Sequence, residues 1–494
     1  MTYLEPYLED FLGWVPWLAF VVDLTVSAAT ITWILMTKKD STSAVAWCLL
    51  VIFVPLLGSV MFLIFGYQHV NRPLERKRRH KQQYRHPIPA EGSGEVTPPP
   101  SGLELPKGEA EAREEHMAWL AQRFGAFPLT SGNQITFYNE GQPAFDAMLE
   151  AICAARHHIH LETFIFQPDA TGRLFLDTLT EKAKEGVQVR LLYDAMGSIH
   201  FHRRMLCSFR ACGGKSSVFL PLNLFRRRLQ VNMRNHRKIL VVDGRVGFLG
   251  GLNVGDEYLG KVTRFGFWRD THMRLEGPVV GDLQRLFLED WDFASGERLQ
   301  EREYFPALAP CGPYPAQIID SGPDRELKGI REMYFAAILQ ARQRVWIASP
   351  YFVPDAGLRD ALRLAGYLGI DVRLLGQDHP DKWIPQFTAR YYWGEMLDAG
   401  VRVYQYARGM MHSKVVLVDG KWASVGTANL DNRSLHLNFE ANCLIYSPQA
   451  VAELEEAFLR DLHYSIRLER AVYARRPFAG RLLENACRLL SAVL

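Results

Sequence analysis

The chain has 494 residues, 48% of them hydrophobic and 22% charged, with a formal net charge of +3. The length excludes one ordinary core, and the composition is that of a globular protein. Seven cysteines, odd in number, scattered and without a CxxC pair, exclude a zinc ribbon and suggest free thiols in a reducing compartment.

The first seventy residues differ from the rest. Phe11 to Thr37 is apolar apart from Asp23, and Ser41 to Gln68 carries no charge. Each run is long enough to cross a bilayer, so two transmembrane helices are expected, at about residues 11–37 and 43–67. Met1 to Asp10 has no Lys or Arg, which argues against a signal peptide. Only Lys38 and Lys39 lie between the runs, whereas Arg72, Arg76, Lys77, Arg78, Arg79, Lys81 and Arg85 follow the second. The positive-inside rule then places the N-terminus and everything after Gln68 in the cytoplasm. The same basic run suits anionic lipid head groups.

Residues 87–107, rich in Pro, Gly and Ser and lacking aromatics, read as a linker, and a folded body begins near Glu114. The body contains a duplication. "ARHHIHLETFIFQPDATG" (Ala155 to Gly172) is repeated as "ARQRVWIASPYFVPDAG" (Ala341 to Gly357), and "VQVRLLYD" as "IDVRLLGQ". Each copy reads strand, Pro-Asp turn, helix, Gly, strand, the pattern of a mainly parallel sheet flanked by helices. His158 and His160 share one strand face in the first copy, and packed strand histidines are the expected reading rather than a metal pair.

A second repeat follows each copy. "NHRKILVVDGRVGFLGGLN" (Asn235 to Asn253) and "MHSKVVLVDGKWASVGTAN" (Met411 to Asn429) keep His, Lys, Asp, Gly and Asn in order. Strand alternation puts His236 and Lys238 on one face and Asp243 on the other, and likewise His412 and Lys414 against Asp419. Asp243-Gly244 and Asp419-Gly420 are the dipeptides that two-residue hairpin turns prefer. Pairing back from the turns brings Gly250, Gly251 and Asn253 to the level of His236, and Thr427 and Asn429 to that of His412. Each hairpin thus presents an imidazole, an ammonium and a carboxamide. Displacement at phosphorus needs a nucleophile, a proton donor and fixed positive charge, so two facing hairpins complete one site without a metal.

The paired HxKxxxxD motifs resemble those of the phospholipase D superfamily. With "FWRDTHMRLEGP", "SPYFVPD", "NLDNRSLHLNFE" and the two apolar N-terminal runs, the resemblance is to bacterial cardiolipin synthases. It implies an α/β fold with two tandem phospholipase D-like α/β/α domains related by a pseudo-twofold, preceded by two transmembrane helices. The expected division is a membrane anchor at 1–70, a basic and then Pro/Gly-rich linker at 71–113, and domains at 114–312 and 313–494. It implies transfer of a phosphatidyl group from one phosphatidylglycerol to another, giving cardiolipin and glycerol through a phosphatidyl-histidine, with no cofactor. The candidate catalytic set is His236, Lys238, Asp243, His412, Lys414 and Asp419, the aspartates being more structural in the family. By that precedent His236 attacks and His412 moves the proton, while Asn253 and Asn429 join the lysines in holding phosphate. A carboxylate from further along the chain orients each imidazole, Glu440 being expected for His412 and Asp270 for His236. The implied setting is a bacterial inner membrane, with phosphatidylglycerol and anionic lipids as partners and no nucleic acid.

Basic residues interleaved with apolar ones, Arg203, Arg204, Arg226, Arg227 and Arg228, and the C-terminal "RRPFAGRLLENACRLLSAVL", read as a basic amphipathic segment, suit an anionic bilayer surface. Competing readings are lipid hydrolysis or nuclease action on the same site, or a lipid-binding scaffold without catalysis. The spans favour lipid over nucleic acid, and intact His and Lys in both copies weigh against a scaffold.

Overall fold

The computed structural model describes residues 5–38, 41–66, 111–221, 233–325 and 327–491. The basic run Arg72 to Arg85, the segment 87–107 and Arg226 to Arg228 lie outside them.

The N-terminal helix Glu5–Thr37 contains one span, Pro16–Thr37, long and apolar enough to cross a membrane. Most of its apolar side chains are exposed, Trp17 at 67% and Leu18 at 64%, a surface that suits hydrocarbon better than water. The second apolar run is helical but divided into Ser41–Phe53, Pro55–Met61 and Phe62–Gly66. Pro55 lacks the N–H that would continue the ladder and starts a new helix as its first residue. The longest uninterrupted apolar helix of this run is therefore Ser43–Phe53, shorter than the first span, and the run continues as helix beyond Pro55 to Gly66. Ile34, Ala44, Val51 and Phe62 pack the hairpin together.

In the body, sixteen strands among the described residues form one sheet. From its outer edge inward the first half runs Lys215–Phe219, Gln188–Asp194, His158–Thr163, Ile239–Val242, Val246–Gly250, Phe267–Glu276 and Thr130–Glu140. The second, inside an additional edge strand Ser465–Arg467, runs Arg402–Tyr406, Asp371–Gln377, Arg344–Ala348, Val415–Val418, Trp422–Gly426, Glu440–Ile445 and Tyr314–Ser321. The two orders match position by position. Thr130–Glu140 and Tyr314–Ser321 hold the same place in each half and pair antiparallel, which gives the pseudo-twofold. The sheet is mixed rather than mainly parallel. In each half three strands towards the outer side, His158–Thr163, Gln188–Asp194 and Lys215–Phe219 in the first and Arg344–Ala348, Asp371–Gln377 and Arg402–Tyr406 in the second, are parallel because helical crossovers link them, while the hairpins at the motifs make their own strands antiparallel.

The Pro-Asp turns explain the helices that follow. Asp169 and Asp355 each accept a hydrogen bond from the backbone N–H three residues on, capping Ala170–Lys184 and Ala356–Tyr367, which is worth about 1 kcal/mol apiece. Gly186 and Gly369 end those helices with positive φ. Separate apolar cores follow, one around Phe145, Phe175 and Leu191, the other around Met333, Leu362 and Trp393.

Both hairpin turns are left-handed, with φ of 52° at Asp243, 63° at Gly244, 54° at Asp419 and 69° at Gly420. Each aspartate accepts three backbone N–H groups at the start of the neighbouring strand. Asp243 takes those of Arg156, His157 and His158, and Asp419 those of Arg342, Gln343 and Arg344, all at 2.7–2.9 Å. The motif aspartates therefore tie hairpin to sheet. Asp243→Ala and Asp419→Ala are each expected to destabilise the body by about 1.5–3 kcal/mol. A lowered unfolding midpoint in detergent solution checks this, and an unchanged midpoint would mean that the turns hold by backbone alone.

Candidate active site

Each motif enters its hairpin by docking on the other half of the sheet. The His236 N–H bonds the Phe439 carbonyl at 2.9 Å, and the His412 N–H bonds the Arg269 carbonyl at 2.7 Å. The strand Gly409–Met411, just before His412, runs parallel to residues 267–269. Phe439 and Arg269 immediately precede Glu440 and Asp270, so this docking brings each imidazole to a carboxylate of the opposite half. His236 Nδ1 lies 3.0 Å from Glu440, and His412 Nδ1 lies 2.6 Å from Asp270 Oδ2. The pairing is thus crosswise, the reverse of the expected Glu440 with His412 and Asp270 with His236. Sequence proximity favours partners within one copy, whereas the twofold packing exchanges them.

The residues beside these pairs lock them. Arg237, wholly buried, ion-pairs with Asp290 and with Asp320 at 3.1 Å and donates to the Glu440 carbonyl. In the second copy Ser413 occupies that place, and the guanidinium comes from Arg269, which pairs with Asp461 at 2.8 Å and reaches Ser413 Oγ. Thr427 donates its hydroxyl to Glu440 Oε2 at 2.6 Å. Its counterpart Gly251 leaves the room that Asp270 occupies, since a Cβ there would lie 2.0 Å from Asp270 Oδ1. The glycine and threonine thus serve the carboxylates. Phe164 and Trp268 lie edge-on or tilted against His236 and His412, each with centroids 5.1 Å apart.

Lys238 and Lys414 are 2% and 1% exposed, and each ammonium donates to the carbonyl of the histidine two residues before it. Asn253 Oδ1 accepts the Ile165 N–H, and its Nδ2 donates to Tyr258 Oη. Asn429 Oδ1, by contrast, is buried without a donor. The structure therefore assembles His236, Lys238, His412, Lys414, Glu440 and Asp270, with Asn253 and Asn429 alongside. It leaves Asp243 and Asp419 at the far ends of the hairpins, because strand parity and the turn carry them away.

Burial is the largest influence on every one of these groups. It drives His236 well below the usual imidazole value, helped by the two lysines, and holds His412 at about 4 against the pull of Asp270. It lowers Lys238 to about 7 and Lys414 to about 8. Glu440 is raised to about 7, whereas at Asp270 the Lys414 and His412 contributions outweigh burial and keep the carboxyl low. Asp270 is thus the stronger anion, and its imidazole is the better placed to carry a proton.

Arg237, Arg269 and Tyr258 have roles that the motif letters do not disclose, whereas the hairpin register places Thr427 level with His412. The first two stand in quoted phrases, one inside the motif and one in "WRD", but nothing local shows that they bridge halves. His158 and His160 lie tilted with ring centroids 4.6 Å apart, His158 edge-on to Tyr304 and His160 stacked on Phe287, where burial pushes both far down. Among the described residues, no group of three His, Cys, Asp or Glu is placed to hold a metal.

The family described as "Cardiolipin synthase, PLD-like domain" matches residues 148–291 and 334–462, one stretch on each motif, and "Phospholipase_D-nuclease N-terminal" matches 25–66. A cardiolipin synthase of Geobacillus thermodenitrificans (strain NG80-2) is 40% identical over 481 residues, covering 96% of this chain and 94% of that one. One of Staphylococcus aureus (strain Mu50 / ATCC 700699) is 37% identical, covering 96% of each. The crystal structure of phosphatidylserine synthase from Haemophilus influenzae Rd KW20 superposes with a TM-score of 0.60 at 16% identity, over 78% of this chain and 100% of that one, a likeness of fold. Matched on both motifs and near full length to such relatives, the chain belongs to the cardiolipin synthase family of phospholipase D-like enzymes.

Proposed function

We propose that the chain transfers a phosphatidyl group between two phosphatidylglycerol molecules, forming cardiolipin and releasing glycerol. The crosswise pairing of two buried histidines with two carboxylates carries the reading, since it supplies a nucleophile and a proton carrier to one phosphorus.

His236 is the nucleophile. Its Nδ1–H faces Glu440, which leaves the Nε2 lone pair for phosphorus. The P–N bond forms as the P–O bond to glycerol breaks, and His412 gives its proton to that oxygen. The hydroxyl of the second lipid then returns a proton to His412 as its oxygen displaces His236. Ionised Asp270 supports His412 as the acid and base, and an anionic phosphodiester raises both imidazoles toward their working range. Lys238 and Lys414 turn from the histidine carbonyls to the phosphate oxygens. Asn429 joins them, and Asn253 does so with the amide hydrogen not given to Tyr258.

Residues 1–70 anchor the chain, with both apolar runs crossing the bilayer and domains 114–312 and 313–494 in the cytoplasm. The apolar exposure of Pro16–Thr37 and the excess of Lys and Arg after Gln68 support this.

Mass spectrometry of the purified protein with phosphatidylglycerol in detergent and a chelator is expected to find cardiolipin and glycerol. Phosphatidic acid alone would make it a phospholipase. His236→Ala and His412→Ala should each lose about 10³-fold or more in kcat, and robust turnover by either would defeat the shared site. The lysines give a pH dependence. Each holds phosphate only while charged, so kcat/KM should fall as pH rises through about 7 to 8, the values of Lys238 and Lys414 before substrate binds. A profile flat to pH 9 would remove them from phosphate binding.

A further inference from the structure

The pseudo-twofold is broken beside the two carboxamides. In the first half, Phe166 bridges to Val254, which sets Ile165 beside Asn253, and the Ile165 N–H satisfies Asn253 Oδ1 at 3.1 Å. In the second half, Phe352 pairs with Leu430, which sets Tyr351 in the corresponding place beside Asn429. There the Ser349 hydroxyl takes the Leu430 N–H and donates to the Tyr351 carbonyl. Asn429, 5% exposed, is left with a buried oxygen that no donor meets.

Tyr351 carries a hydroxyl where Ile165 has none. It donates to Asp381 Oδ2 at 2.6 Å, and Asp381 Oδ1 is a second buried oxygen without a donor. The charges of Asp381, Asp431 and Glu257 all bear on Tyr351, and that of Asp381 on Lys414, so this acceptor group lies within electrostatic reach of the His412 motif. Lys382 and Trp383 follow Asp381 in the chain and are exposed. The acceptors therefore lie next to solvent-facing residues.

Two donorless oxygens held out of water cost about 1–3 kcal/mol each unless donors arrive. A phosphate cannot supply them, because it is itself an acceptor. A vicinal diol can, since each hydroxyl donates one hydrogen. We propose that Asp381 and Asn429, with Tyr351 fixing the carboxylate, form the subsite for the glycerol hydroxyls on the His412 side of the site. Resting on the function proposed above, this makes Asp381 a specificity residue that selects a polyol over a plain alcohol. A site built to bond hydroxyls discriminates strongly against an analogue lacking them.

The test uses the full-length protein with phosphatidylglycerol as donor and deuterium-labelled glycerol, ethanol or ethanolamine added in competition as acceptor, with the exchanged lipids, the labelled phosphatidylglycerol among them, measured by mass spectrometry. The wild type is expected to favour glycerol over ethanol. Asp381→Ala should cut that preference about tenfold or more, mainly through the KM for glycerol, and Asp381→Asn, which keeps the shape, guards against misfolding of the alanine variant. An unchanged ratio in both folded variants overturns the subsite while the wild type's turnover upholds the transferase. A wild-type preference for ethanolamine that Asp381→Ala abolishes also overturns it, in favour of a cation subsite. A wild type that transfers to no alcohol removes the proposed function and the subsite with it.

Discussion

Each imidazole is bonded at Nδ1 to a carboxylate that belongs to the other half of the sheet, and the rest of the body is arranged around those two bonds. Neither half contains a complete set. The antiparallel join of Thr130–Glu140 to Tyr314–Ser321 lets Glu440 and Asp270 stand within reach of the opposite hairpins. Two bridging guanidiniums hold the arrangement, Arg237 between Asp290 and Asp320, and Arg269 against Asp461. Removing one partner from such buried pairs typically costs about 3–5 kcal/mol, so they bind the halves in one register.

The same burial sets the chemistry. Two lysines, two histidines and two carboxylates share a dry space, and desolvation acts against the charge of each. Before substrate arrives the cluster is therefore reluctant to ionise, apart from Asp270, which Lys414 and its contact with His412 keep low. A phosphodiester brings the negative charge that the lysines and a protonated imidazole are best placed to meet. The site is electrostatically incomplete without its substrate, and catalysis and binding draw on the same charges.

Symmetry provides two histidines, but a transferase must treat them differently. Asp270 against Glu440, Gly251 against Thr427, and Ile165 against Tyr351 all distinguish the halves where the folds otherwise match. The assignment of nucleophile and proton carrier proposed above rests on these differences rather than on the motif, which reads the same in both copies.

Much was legible in the sequence because it depends on neighbours along the chain. The Pro-Asp caps at Asp169 and Asp355, the Asp-Gly turns at Asp243 and Asp419, and the parity that separates those aspartates from His236 and His412 are local, set by dihedral preference and strand alternation. The duplication likewise announced two equivalent halves. What hydropathy missed was local as well: Pro55 divides the second apolar run, a backbone effect that an apolar count does not register. The crosswise carboxylates, Arg237 and Arg269 as bridges, and the open oxygens of Asn429 and Asp381 were decided only by tertiary structure. They depend on how one half docks on the other, a packing between residues roughly 140–200 positions apart that no spacing within either repeat encodes.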